Sequence, residues 1–206
     1  MRCATVTPVE PRAQAIVHEM AEHRRRFEDF CRSLTAEELR RQVPGTPWTA
    51  HDYIAHLCTV EALISAFFAP FVGRTDIPRP EVAPPQPFDI DDWNAEMVAK
   101  RRGTLVDELL AEGARNRGSY ERVLGTMREA QLDAMIPFGG DRKVIDLPAT
   151  TVRLEGLLMA IALHDPTHMQ DILRALPERA EEPVIKEWLA AADFSRVPPE
   201  IAERRA

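Results

Sequence analysis

Apolar residues recur along most of this chain at intervals of three and four, the spacing of a helix with one buried face. Ile16, Met20, His23, Phe27, Phe30 and Leu34 keep that rhythm and predict a first helix from about Glu10 to Ser33. Thr35 and Glu38 then form a Thr-x-x-Glu capping box, which predicts a short helical turn over 35–41 before Pro44, Gly45 and Pro47 break the chain. Thr49 and Asp52 repeat the capping arrangement and open a second helix to about Phe71 through Ile54, Leu57, Val60, Ile64 and Phe68. This helix is apolar nearly all round and should be well buried.

From Gly73 to Phe88 the chain holds Pro78, Pro80, Pro84, Pro85 and Pro87, so a regular helix is excluded and a long crossover loop is expected. A loop of that length often serves as a lid or binding segment. A third helix should run from Asp89 to about Thr126, led by acids that suit the helix dipole, carrying Trp93, Met97, Leu105, Leu109, Val123 and Met127, and weakened by Gly113 and Gly118. Short apolar runs around Gly139 and Gly140 predict a small hairpin or an irregular loop over 136–147. Thr151 to about Leu176 forms the fourth helix, followed by a short helix near Val184 to Ala192 and a polar tail. The expected fold is all-α: a four-helix bundle with a long proline-rich crossover between helices two and three and a small hairpin before helix four. One domain should span 1–206, with its core at about 10–176 and an appended short helix and tail at 177–206.

Charge and composition narrow the partners. The 206 residues carry a net charge of −7, and the run Arg24, Arg25, Arg26 reads as a solvated face, so nucleic-acid binding is disfavoured. Ala62 to Val72 is the longest apolar run and falls short of the roughly 18 residues that cross a bilayer, so no membrane span is expected. The first residues lack the apolar centre of a signal peptide, which predicts a cytoplasmic protein. Cys3, Cys31 and Cys58 form no Cys-x-x-Cys pattern and read as reduced thiols rather than zinc ligands. Cys58 lies about 200° around the helix from His56.

The chemistry centres on His164 and His168, four residues apart and on one helical face. With six histidines in the chain, such a pair arises by chance in about one chain in seven, so the neighbours decide. Leu154, Leu157, Ile161, His164, His168 and Ile172 follow one stripe, which puts two imidazoles where core leucines are expected. A metal site needs a third ligand, and His56 is the best donor: it shares a face of helix two with Val60, Leu63 and Phe67. Three imidazoles from two helices would leave a divalent ion with open positions.

The segment Leu34 to Leu57, with Leu-Thr-Ala-Glu-Glu-Leu, Val-Pro-Gly and Trp48-Thr-Ala-His-Asp-Tyr-Ile-Ala-His56-Leu, resembles the start of DinB-like proteins and the related N-terminal domain of mycothiol-dependent maleylpyruvate isomerases. Trp93-Asn94 and His164-Asp-Pro-Thr-His168-Met-Gln-Asp-Ile agree with the same resemblance, which covers about residues 10–176. It implies an up-down-down-up bundle holding a divalent ion on three histidines, here His56, His164 and His168. It also implies thiol-dependent transferases and isomerases among family members, although fold and site do not fix the reaction. No catalytic residue beyond the ligands declares itself.

Around the trio, Asp52 lies one turn before His56 and either orients it or, the favoured reading, caps its helix. Asn94 either lines a pocket mouth or packs in the core, as Trp93 should. Asp165 and Asp171 flank the ligand pair, and solvation is the favoured reading for both. Glu61 sits about 140° from His56 and reads as a salt-bridge or surface group. Pro166 departs from a regular helix and should kink it at Asp165.

The expected function is a metal-dependent enzyme, the ion being zinc by preference, with nickel or iron(II) also suited to imidazole. It would activate a low-molecular-weight thiol for S-transfer or isomerisation of a small-molecule substrate. Two alternatives stay open: a hydrolase using water on the same ion, and a non-catalytic, stress-related metal-binding module acting as a homodimer.

Overall fold

The computed structural model describes residues 10–80, 89–138 and 150–202, and these are mostly helical with one small sheet. Helix α1 (Pro11–Ser33) opens on a proline, whose missing N–H falls where a first turn needs none. The turn α2 (Ala36–Leu39) carries the expected capping box, Glu38 N donating to Thr35 Oγ1 at 3.2 Å and Thr35 N to the Glu38 carboxylate at 2.7 Å. Helix α3 (Ala50–Phe68) repeats it with Thr49 and Asp52, and is buried without a gap from Asp52 to Glu61. A turn at Pro70–Val72 follows, and 73–80 hold no regular helix or strand. The rest of the proline-rich crossover lies outside the described residues.

The third predicted helix is in fact two. Helix α4 (Ile90–Ala99), capped by the Asp89 carboxylate, is separated from α5 (Val106–Leu124) by a turn in which Gly103 takes φ +86°, a conformation that side chains disfavour. Leu105, expected in the core, stands 68% exposed beside that turn. Gly113, expected to weaken the helix, lies within α5: a Cβ there would come within 3.1 Å of Cys58 Sγ, so its absence lets α5 lie close on α3.

After the short turn α6 (Glu129–Leu132), strands β1 (Met135–Phe138) and β2 (Thr150–Arg153) pair antiparallel, Met135 opposite Arg153 and Phe138 opposite Thr150. The glycine turn predicted between them lies outside the described residues. The start assigned to helix four is therefore strand, and the helix is divided into α7 (Leu154–Ala162) and α8 (His164–Ala175) by Leu163 at φ −91°, ψ 11°. The kink predicted at Asp165 falls at Leu163 instead. Pro166 is the third residue of α8, among the first-turn N–H positions that have no helical partner in any case.

The rotation of α7 and α8 also differs from expectation. The buried stripe is Leu158, Ala162, Asp165, Met169 and Ile172, whereas Leu157, Ile161, His164 and His168 lie one position over on a half-buried flank. A carboxylate, not an imidazole, occupies the core position.

The core divides into two apolar clusters. One takes Ala13, Ile16 and Met20 from α1, Phe68 from α3, Tyr120, Val123 and Leu124 from α5 and Leu154, Leu158 and Ala162 from α7; the other takes Phe27 and Phe30 from α1, Ile54 and Leu57 from α3, Leu109 from α5 and Met169 and Ile172 from α8. The chain therefore runs from the first cluster to the second in α1 and in α7–α8, and back again in α3 and α5. Between the clusters, one charged residue from each of four helices meets: Arg24, Glu61, Arg117 and Asp165, all under 9% exposed. Arg24 Nη2 lies 3.0 Å from Glu61 Oε1 and 2.9 Å from Asp165 Oδ1, and donates to Leu57 O at 3.1 Å. Arg117 Nε donates to Glu61 Oε2 at 2.9 Å, and its Nη2 stands 3.6 Å from Asp165 Oδ2. Arg24 thus belongs to the interior, whereas its neighbour Arg25, with a side chain 60% exposed, fits the solvated run.

The tail is less polar in role than in composition. Helix α9 (Pro183–Ala191) and the turn α10 (Pro199–Ala202) bring Trp188, Val197 and Ile201 into the core. Trp188 Nε1 donates to His23 Nδ1 at 2.9 Å, so neutral His23 carries its proton on Nε2, facing Glu19 Oε1 at 3.3 Å. Burial lowers the His23 pKa below the ordinary imidazole value, with Glu19 opposing. The unfolded chain therefore binds more protons as pH falls through the ordinary histidine range, and the stability from this contact, complete above that range, is lost below it. Urea denaturation should find His23→Gln less stable than wild type by about 1–3 kcal/mol at neutral pH, with the difference shrinking as the pH is lowered. A difference independent of pH would refute this reading.

Candidate metal centre

His56 lies mid-way along α3, buried at 4% exposure, while His164 opens α8 and His168 follows one turn later, both half-buried. Each offers one ring nitrogen, and these three atoms lie within 4.8 Å of one another. His164 Nε2 and His168 Nε2 are 3.0 Å apart. The rings stand edge to face around a shared point, with centroids 5.2 Å apart for His56 and His164, 5.0 Å for His56 and His168, and 4.5 Å for His164 and His168. Nitrogens of three imidazoles around a tetrahedral zinc would sit about 3.4 Å apart, given Zn–N near 2.0–2.1 Å. The donor set and its spacing fit a divalent ion with small rotations of the rings.

The acidic candidates part company. Asp52 Oδ2 accepts from Thr49 N at 2.9 Å and from Thr49 Oγ1 at 3.0 Å, and Arg102 approaches the other oxygen at 3.7 Å. It caps α3 and does not reach His56. Asp165 turns away from the trio toward Arg24 and Arg117, in close ionic contact. It is neither solvated nor a support for an imidazole. Asn94, buried on α4, makes no hydrogen bond to any of the three rings, and Trp93 packs in the core as expected. Asp171, read as solvated, instead contacts His168: its Oδ2 lies 2.8 Å from His168 Nδ1. The i, i+3 spacing from His168 was the available signal.

Two aromatic residues beside the trio were missed as functional candidates. Trp48, half-buried in the loop before α3, has its ring 5.2 Å from that of His56 and 5.1 Å from that of Tyr53. Tyr53 in turn stands 5.4 Å from His168. Burial holds the Tyr53 phenol above its ordinary range, so it stays protonated around neutrality. The two cysteines among the described residues are not part of the site: burial pushes Cys58 up to about 12 and Cys31 well above its usual value, as befits neutral core residues.

A helical protein with three imidazoles gathered from two packed helices is the class that fold and site define. The chain belongs to the mycothiol maleylpyruvate isomerase N-terminal domain family, a DinB-like family, whose model matches residues 20–155. That span includes His56 and ends before His164 and His168. No curated protein and no solved structure matches the chain.

The different loads on the acids can be measured. Asp165→Ala leaves two buried guanidiniums short of a counter-charge and should destabilise the fold by about 3–5 kcal/mol in urea denaturation. Asp52→Ala removes a cap and should cost about 0.5–2 kcal/mol. A smaller loss for Asp165→Ala than for Asp52→Ala would contradict the assignment.

Proposed function

We propose that the chain is a single-domain, up-down-down-up four-helix bundle that binds one divalent ion through His56, His164 and His168, and that uses a low-molecular-weight thiol to act on a small electrophile by S-transfer or isomerisation. The observation that carries the metal reading is the approach of three imidazole nitrogens to within 4.8 Å of one another. The passage of the helices between the two apolar clusters, one way in α1 and α7–α8 and the other way in α3 and α5, supports the bundle. The family supports the thiol: it is named for a mycothiol-dependent isomerase.

Neutral imidazoles contribute no negative charge, so a bound divalent ion would keep its full Lewis acidity and would lower the pKa of a thiol brought to it. Zinc suits such a set, and nickel and iron(II) are the next candidates. The chain's own residues bind and orient. His56 is fixed by burial in α3, and His164 and His168 hold their rings on the half-buried flank where a small molecule can enter. Trp48 and Tyr53 bound one side, and the protonated Tyr53 phenol can donate a hydrogen bond to an anionic group. The same half-exposure admits water, so hydrolysis by the same residues is the second reading.

Protein purified without chelators at neutral pH should contain about one divalent ion per chain by elemental analysis, and His56→Ala or His168→Ala should remove it. A metal-free wild type sinks the proposal. Turnover of an electrophile panel should require an added low-molecular-weight thiol; equal turnover without thiol would favour the hydrolase reading.

A further inference from the structure

We propose that Asp171 is the positioning residue of the trio: it fixes His168 in its Nδ1–H tautomer and so turns the Nε2 lone pair toward the point shared with His56 and His164. The inference rests on the metal reading for its purpose but on the geometry of His168 and Asp171 for its substance.

His168 has two ring nitrogens with different surroundings. Nδ1 is 2.8 Å from Asp171 Oδ2, and Nε2 is 3.0 Å from His164 Nε2. A carboxylate accepts and cannot donate, so the short contact to Asp171 requires the proton on Nδ1. Neutral His168 is then an acceptor at Nε2, and the proton in the 3.0 Å contact belongs to His164. For Nε2 of His164 to serve as a ligand, the neutral ring would have to carry its proton on Nδ1 instead, whereas His168 is already in ligand form. Without Asp171, the ring would favour its other tautomer or rotate, and both changes must be reversed before Nε2 can bind a metal.

Asp171 is itself held. Arg174 Nη1 approaches Asp171 Oδ1 at 3.8 Å, while its Nη2 donates to Pro44 O at 2.6 Å. Pro44 begins the loop that delivers Trp48 to the face of His56, so one guanidinium connects the carboxylate behind His168 with the loop beside His56. Gly45 in that loop has φ +81°, and a Cβ there would stand 3.3 Å from Arg174 Nη2, so the turn is shaped to receive the arginine. Asp171 keeps 30% side-chain exposure, which makes its removal tolerable to the fold, unlike that of Asp165.

Two measurements on full-length wild type, Asp171→Asn and Asp171→Ala test the assignment. Nitrogen-15 NMR of the metal-free proteins, above the pH range in which imidazole is protonated, should show His168 as the Nδ1–H tautomer in wild type and predominantly as Nε2–H in Asp171→Ala. Zinc affinity by chelator competition should fall about 10–100-fold in Asp171→Ala and by less in Asp171→Asn, whose amide oxygen can still accept from Nδ1–H. Thermal midpoints of the metal-free proteins should stay close together, which separates a positioning role from a structural one. An Nε2–H tautomer in wild type, an unchanged tautomer in Asp171→Ala, or equal zinc affinity in all three overturns the proposal. A wild type that takes up no zinc refutes the metal reading instead, and the tautomer measurement then decides the role of Asp171 by itself.

Discussion

The buried layer of Arg24, Glu61, Arg117 and Asp165 is the constraint on which the rest of this structure depends. Taking four charges out of water is expensive, and the attraction among them offsets that cost only when every partner is in place. Apolar layers above and below would tolerate a slide of one helix past another, because leucine packs on leucine in many registers. A one-turn slip, about 5.4 Å, would tear these charges from their partners. With one member on each of α1, α3, α5 and α8, the layer fixes the relative heights of four helices at once.

The histidine trio inherits that register. Asp165 adjoins His164 in sequence, and Glu61 lies five positions after His56 on α3, so the layer that locks Asp165 to Glu61 through the two arginines also sets α8 against α3 at the height of the imidazoles. The clasp of Trp188 on His23 holds the C-terminal segment against α1 one position before Arg24. Charge in the core thus does for geometry what a larger apolar core would do only for stability.

Much of this was readable from residues and spacing because it is local. The two capping boxes depend on side chains three positions apart, and helix starts at 36 and 50 follow from them. The trio was readable because histidines are scarce and helical period brings i and i+4 together. What failed was decided at a distance. The turn at Gly103 is one of many that a glycine permits, and only the packing of α4 and α5 on α3 selects it. Arg24 stands in a run of three arginines that looks solvated, and nothing within α1 reveals the carboxylates waiting on α3 and α8. Trp48 comes to His56 through a loop whose path depends on Arg174, 126 positions further on.

The mistaken stripe on the last long helices is instructive about the site itself. Periodicity cannot distinguish a stripe through His164 and His168 from one through Asp165 and Met169, since both repeat at three and four. Hydrophobicity favours neither histidine nor aspartate in a core. The deciding fact is that two guanidiniums from other helices need a second carboxylate, and Asp165 supplies it by rotating α8 one position inward. That rotation carries His164 and His168 from the core to its half-buried flank. The buried ion layer therefore does more than hold the helices in register: it decides which flank of α8 carries the two imidazoles.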